Sequence, residues 1–407
     1  MKPKSMGEVK PKVQSFARIK VLGVGGSGTS AVNRMSELGI KGVEFIAINT
    51  DAQALHNNNA DLKVHIGKNI TKGLGSGMNP ELGRQAAEES IEELEEVVDN
   101  ADMVFITCGL GGGTGTGASP IVAELAKNKG VLTVAVVTRP FTFEGSKRKE
   151  VADAGYDNLK DKVDAIIAIH NDRILQIIDK KTSLIDSFKT VDEVLRQGIS
   201  GISDLITTHG LVNADFADVR AIMQDAGTAM MGIGRASGEN RASEAAKLAV
   251  NSPLLDMSLD GAKGVLFNIT GGKDLGMFEI DEAAKVITKN IDADAKVKFG
   301  AVIDETLSDE IKITVIATGF DGNNRLSGMS PMSFDEPKKG FLGTGNFSAQ
   351  PQSPPQNSLE LRRPLFNPKP VEPKQPPIVQ SAPSGENTNT DSEDELEIPA
   401  FIRKKMK

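Results

Sequence analysis

The sequence predicts an α/β protein: a mostly parallel sheet, a long central helix, a second α+β domain and a disordered C-terminal tail. Three observations carry that expectation. Short apolar runs alternate with helix-like runs up to residue 182. An unbroken amphipathic pattern then covers 183–209. Beyond residue 321 apolar side chains thin out, and thirteen of the nineteen prolines fall after Ser330.

The strands come first. "ARIKVLGV", "EFIAI", "LKVHI", "MVFIT", "VLTVAVV" and "AIIAI" are short and rich in β-branched residues. Several are apolar throughout, as a sheet covered on both faces requires. Helical spacing fills the gaps, as in "AAEESIEELEEVV" and "IVAELAKNK". Strand and helix in alternation predict parallel strands with helices on both faces.

In the central segment Leu184, Phe188, Val191, Leu195, Ile199, Ile202 and Leu205 recur every three or four residues. That is one helix with an apolar stripe, on the order of 35 Å long. "GVLFNIT", "VKFGAVI" and "IKITVIA" supply strands for the second domain. The predicted organisation is a flexible segment at 1–16, a first domain at 17–182, the helix at 183–209 and a second domain at 210–320. A disordered linker at 321–391 and a tail peptide at 392–407 complete it.

Composition narrows the function. A net charge of −8 argues against a nucleic-acid binder, which carries a basic face. A single cysteine, Cys108, excludes an internal disulfide framework and fits a reducing cytosol. The four histidines are scattered, so no structural metal is expected. No apolar run reaches membrane-spanning length, and the opening "MKPKSMGEVKPK" has no signal-peptide core. The linker cannot bury enough apolar surface to offset its ordering entropy. After it, "IPAFIRKKMK" restores apolar and basic side chains, the pattern of a partner-binding peptide.

Three glycine-rich loops each follow a strand: "GVGGSG" (23–28), "TKGLGSGMNP" (71–80) and "GLGGGTGTG" (109–117). In an open parallel sheet, ligands bind beyond the carboxyl ends of the strands. Glycine lets backbone approach a ligand closely, and helix N-termini offer unpaired N–H groups to anions. Gly112 and Gly117 have P-loop spacing, but Ala118 stands where a P-loop has lysine. Backbone N–H groups, helix dipoles and Mg²⁺ can replace that lysine, with Thr114 and Thr116 as added hydroxyl donors. The first loop alone also fits a dinucleotide fingerprint, Gly23-x-Gly25-x-x-Gly28 with Asp51 downstream. That alternative, an NAD(P)-dependent oxidoreductase, leaves the other loops and the tail unexplained.

"GGGTGTG" resembles the signature of the tubulin/FtsZ superfamily. "NTDAQAL", "TKGLGSGMNPELG", "NADFADVR" and the terminal "IPAFIRKK" resemble the FtsZ cell-division family, over about Ala17 to Gly319. The resemblance implies a Rossmann-like GTP-binding domain and a GTPase that polymerises head to tail into the bacterial division ring. It places GTP or GDP on Gly26, Ser27, Gly28, Thr29 and Ser30 and on Gly113, Thr114 and Gly115. Glu144 and Arg148 would meet the ribose and base region, with Asn171 and Asp192 at the guanine edge.

Asn213, Asp215 and Asp218 would enter the nucleotide site of the next subunit and orient the attacking water. From the residues alone, Asp215 and Asp218 read as helix N-capping, and Glu144 with Arg148 as a surface i,i+4 pair. The resemblance also implies Mg²⁺, a membrane adaptor bound through 398–407, and a cytoplasmic location at the mid-cell division site on the inner face of the membrane. Thr29 and Ser30 stand where the family commonly has paired asparagines, Ser27 where it has Gly or Ala, and His170 where it has proline.

Overall fold

The computed structural model describes residues 17–320, apart from 41, 177, 180, 208–211, 213, 256–258 and 290. The expectations for 1–16, 321–391 and 392–407 lie outside the described residues. The chain begins with β1 (Ile19–Val24), α1 (Gly25–Leu38), β2 (Val43–Asn49), α2 (Ala52–His56), β3 (Leu62–His65) and α3 (Lys68–Thr71). Next come α4 (Pro80–Glu89), α5 (Ile91–Val98), β4 (Met103–Gly109), α6 (Thr114–Asn128), β5 (Leu132–Arg139) and α7 (Ser146–Lys160). β6 (Ala165–His170) and α8 (Asn171–Ile174) lead to the long α9 (Leu184–Thr207) and then α10 (Phe216–Met223). The remainder is β7 (Gly227–Ser237), α11 (Arg241–Val250), β8 (Gly264–Gly271), α12 (Met277–Thr288), β9 (Lys296–Ile303) and β10 (Glu310–Thr318).

The strands form one sheet in the order β3-β2-β1-β4-β5-β6-β7-β10-β8-β9. Every pairing from β3 to β7 is parallel. β10 then runs antiparallel between β7 and β8. The apolar strands are buried on both faces: Val21, Phe105 and Val134 join one core cluster, Leu22, Ile106 and Val137 the other. The two domains read from the sequence share this sheet. Ala165, Ile166 and Ile167 of β6 pair with Gly227, Thr228 and Ala229 of β7.

Three local details depart from the sequence reading. "AAEESIEELEEVV" is two helices rather than one. Ser90 ends α4 and precedes α5, and its buried hydroxyl accepts a hydrogen bond from the Gly67 amide at 3.3 Å. α1 starts at Gly25 instead of near Thr29, so the first glycine loop is itself the opening turn of a helix. β7, "GTAMMGIGRAS", has weak strand propensity and gave no signal. Packing imposes it: α11 lies so close that a Cβ at Gly232 or Gly234 would sit 2.0 Å from a carbonyl oxygen of Ala249 or Ala245.

α9 is the predicted central helix, 24 residues and about 36 Å long. Val191, Val194, Leu195, Ile199, Ile202 and Leu205 are buried, each contributing about 1.5–3 kcal/mol through burial. No helix among the described residues is long and apolar enough to cross a membrane.

α4 and α6 are nearly in backbone contact. A Cβ at Gly117 would lie 1.9 Å from the Pro80 carbonyl oxygen and 2.7 Å from the Arg84 nitrogen. Gly117→Ala should therefore force the two helices apart, at a cost of about 1–3 kcal/mol. A thermal melt checks this: a fall of several degrees is expected, and an unchanged midpoint would mean the two backbones are not held this close.

Candidate functional site

The three glycine loops converge at the carboxyl ends of β1, β4 and β3. Gly25 has φ +72°, and a Cβ there would lie 2.5 Å from the Gly115 amide nitrogen. A Cβ at Gly28 would meet the Thr107 carbonyl oxygen at 2.4 Å, and one at Gly113 would meet Ser76 Oγ at 2.2 Å. Only glycine allows loops to touch in this way. Gly115 is nearly as confined, with Val24 and Gly109 carbonyl oxygens 3.1 and 3.2 Å from where its Cβ would be.

On the outer side the arrangement is open. A Cβ on Gly26 would meet nothing within 4 Å, and one on Gly112 only the Gly109 oxygen at 3.9 Å. The opening turns of α1 and α6 border this space. Their first N–H groups have no intrahelical acceptor, and both helix dipoles present their positive ends. A chain of phosphates fits such a cradle without a lysine.

The hydroxyls stand otherwise than the sequence reading placed them. Thr116 Oγ1 accepts a hydrogen bond from the Gly111 amide at 3.0 Å. Thr114 Oγ1 lies 2.6 Å from Thr50 Oγ1 and 2.8 Å from Ser76 Oγ. Both hydroxyls are engaged by neighbouring loop groups, because closing the loops buries them. Thr29 Oγ1 donates back to the Gly25 and Gly26 carbonyls at 2.9 and 3.0 Å. Ser30 is exposed. Ser27 Oγ accepts from the Gly109 amide at 2.9 Å, pinning α1 to the end of β4.

Beyond the cradle, Glu144 and Arg148 form the i,i+4 ion pair at 2.5 Å. Arg148 also covers the signature loop: a Cβ at Gly111 would meet its Cγ at 2.8 Å. Asn171 opens α8 and is buried, with its Oδ1 unpartnered among the described residues. Asp192 on α9 pairs with Arg34 of α1 at 3.2 Å. Burial pushes its carboxyl up to about 6, against the opposing pull of Arg34.

One turn earlier Phe188 is 42% exposed and meets Phe141 edge-on, centroids 5.9 Å apart. The sequence reading counted Phe188 in the apolar stripe of the helix. Its spacing of four from Asp192, which puts both on one face, was the available signal for a flat group beside a base edge. Arg34, Thr50 and Ser76 were also passed over.

Asp51 is taken up locally. Its Oδ1 caps α2, accepting from the Gln53 and Ala54 amides at 2.9 and 3.0 Å. The ribose-binding role that the dinucleotide alternative required is thus occupied by a helix cap.

Asn213 lies outside the described residues. Asp215 is the N-cap of α10 and accepts from the Asp218 amide at 2.8 Å, so the capping reading holds for it. Asp218 Oδ1 meets Lys298 Nζ of β9 at 2.8 Å. This hydrogen bond raises the Lys298 ammonium above its ordinary range. α10 and the turn after it sit at the far end of the sheet. Arg220 donates to the Gly130 carbonyl just before β5, and the Gly227 amide to that of Asp164 just before β6. The cradle borders the opposite, carboxyl ends, so a strand of eight residues, roughly 25 Å, separates the two.

The cap supports a direct check. Asp215→Ala should cost about 1 kcal/mol and Asp215→Ser much less, read as thermal midpoints. Equal losses would show that the side-chain oxygen does not hold the helix start.

With this geometry in hand, comparison with known proteins is specific. The Tubulin/FtsZ family GTPase domain matches residues 18–179, and the FtsZ family C-terminal domain matches 227–321. An FtsZ dimer from M. jannaschii, solved empty, is 43% identical with a TM-score of 0.74, covering 79% of this chain and 96% of that one. A point mutant of FtsZ from the same organism is 46% identical with a TM-score of 0.72, covering 75% and 91%. CetZ2 from Haloferax volcanii, solved as a GTPγS-bound protofilament, shares the fold at 21% identity and a TM-score of 0.64, covering 74% and 92%. The glycine cradle, the long central helix and the mixed sheet beyond it are those of a GTPase, and the chain belongs to the tubulin/FtsZ family.

Proposed function

We propose that this GTPase polymerises head to tail and that each GTP is hydrolysed between two subunits. The observation that carries the reading is the distance between the cradle and the Asp215–Asp218 turn. Each lies at its own end of the sheet, so the turn cannot reach the cradle of its own chain. A second copy stacked along the same axis brings one to the other. Because the two surfaces differ, the contact is heterologous and continues into a filament. The FtsZ dimer and the CetZ2 protofilament among its structural relatives are in keeping with this.

In this reading Gly26, Ser27, Gly28, Thr29, Ser30, Gly113, Thr114 and Gly115 shape the phosphate cradle, largely through backbone N–H groups. Glu144 and Arg148 border the ribose. Phe188 offers a flat face to guanine, while Asn171 Oδ1 and the Asp192 carboxylate accept from its N–H donors. Asn213, Asp215 and Asp218 of the next subunit hold the attacking water, so catalysis rests on positioning and electrostatics. Mg²⁺ bound with the triphosphate would supply the charge neutralisation that no lysine provides here. The filament would form the division ring at the bacterial septum, at mid-cell in the cytoplasm, tethered through residues 398–407 to a membrane adaptor.

A shared site makes turnover depend on assembly. GTP turnover per subunit should rise above a threshold protein concentration; a constant value down to dilute monomer would overturn the reading. Asp218→Ala should keep GTP affinity within about twofold and lower turnover in the assembled protein by about a hundredfold or more. Lost GTP binding in a folded variant would mean that the turn has another role.

Guanine recognition should also depend on pH. Arg34, Glu37, Lys189, Glu193 and Arg196 line the same cavity as Asp192. Burial pushes its free-state carboxyl up to about 6, and only the ionised form offers two acceptor oxygens to the paired N–H donors of guanine. Binding GTP therefore releases a proton below that pH. Affinity should fall by about tenfold between pH 7 and pH 5, and Asp192→Asn should flatten the profile. The free protein responds in the opposite sense: a carboxyl raised above its ordinary value stabilises the fold at low pH and loses that contribution as pH rises through about 6.

A further inference from the structure

We propose that Thr50 and Ser76 are positioning residues for the phosphates of GTP, acting through Thr114. The three hydroxyls come from three separate segments: the turn after β2, the 71–80 loop and the first position of α6. Thr50 Oγ1 and Thr114 Oγ1 are 2.6 Å apart, and Thr114 Oγ1 and Ser76 Oγ 2.8 Å. Thr50 is fully buried, while Thr114 and Ser76 are each 6% exposed, at the edge of the cradle.

Counting protons gives the group a direction. A buried O–H must donate to something. Among the described residues the Thr50 hydroxyl has Thr114 Oγ1 as its one partner, so Thr50 donates to Thr114. Thr114 keeps its own proton and a second lone pair. With no phosphate present it donates to Ser76. When a phosphate oxygen enters beside α6, Thr114 donates to that oxygen, and the Ser76 hydroxyl turns to donate to Thr114. Three hydroxyls sharing two bonds leave one O–H over, and the anion accepts a hydrogen bond from it.

Thr50 fixes the lone-pair side of Thr114 from beneath, and Ser76 secures it from the side. The Ser76 loop is itself held to the same place, because its Gly75 amide donates to the Thr50 carbonyl at 3.3 Å. Hydrogen bonds to a charged acceptor are roughly twice as strong as neutral ones, so aiming this donor has a measurable effect on affinity.

The test is equilibrium binding of GTP, GDP and guanosine to Thr50→Val, Thr50→Ser and Ser76→Ala, with steady-state turnover and thermal melts alongside. Thr50→Val keeps the shape and removes the hydroxyl. It should weaken GTP and GDP by about tenfold and raise KM accordingly, with kcat at saturation within about threefold. Guanosine, which has no phosphate, should bind within about twofold of the unaltered protein. Thr50→Ser should restore GTP affinity to within about threefold. Ser76→Ala should cost about threefold, and the Thr50→Val, Ser76→Ala double variant less than the product of the two, since both act through one oxygen.

The proposal is overturned if Thr50→Val binds GTP within twofold of the unaltered protein, or if guanosine weakens as much as GTP. Should Thr50→Val fail to fold, Ser76→Ala decides alone. A loss confined to the phosphorylated ligands supports the relay, and unchanged GTP affinity overturns it.

Discussion

The contact between the first turn of α1 and the first turn of α6 constrains everything around it. Gly25 and Gly115 bring two backbones to a separation that no side chain allows, and Gly28 and Gly113 do the same against β4 and the 71–80 loop. The interior of the cradle is thus made of main chain. Its donors belong to helix ends that packing holds in place, so they need no reorganisation when an anion arrives. The strands beneath are buried on both faces, and this rigidity keeps the loops in register. A lysine would add a mobile point charge; here the charge complement is spread over fixed N–H groups.

The same sheet that gathers the cradle at one end carries the Asp215–Asp218 turn at the other. Its parallel order dictates this, because α9 descends its whole length before α10 begins. This layout is what the proposed hydrolysis between subunits rests on: the strands separate the cradle from the proposed catalytic turn, and stacking of copies would reunite them. The Asp218–Lys298 pair is partly exposed and contributes little to stability, so in the proposed junction a neighbour could displace the lysine at small cost.

Much of this was legible in the sequence. Continuous apolar runs announced the parallel strands, the 3.6-residue period announced α9, and the loops declared themselves by glycine. What stayed hidden was decided by tertiary contact. β7 is a strand because α11 presses alanine against its glycines, a fact that propensity cannot carry. Ser90 divides α4 from α5 through a bond to Gly67, far away in sequence. Thr114 and Thr116 are visible in the sequence as hydroxyls, but the neighbours that engage them, Thr50 and Ser76 for the first and the Gly111 amide for the second, are set by tertiary contact. Phe188 fits the stripe by its spacing, and only the fold shows that it is partly exposed beside Phe141. Asp51 matched a ribose ligand in spacing, yet a helix start claims it first.

The central claim is that cradle and catalytic turn act across a junction, and mixing two inactive variants tests it most directly. Gly25→Val disrupts the cradle and leaves the turn intact; Asp218→Ala does the reverse. In an equal mixture about a quarter of random junctions join an intact cradle to an intact turn. GTP turnover should therefore reappear in the mixture, approaching about a quarter of the unaltered rate in assembled protein. A mixture no more active than its components kept apart would contradict a site shared between subunits.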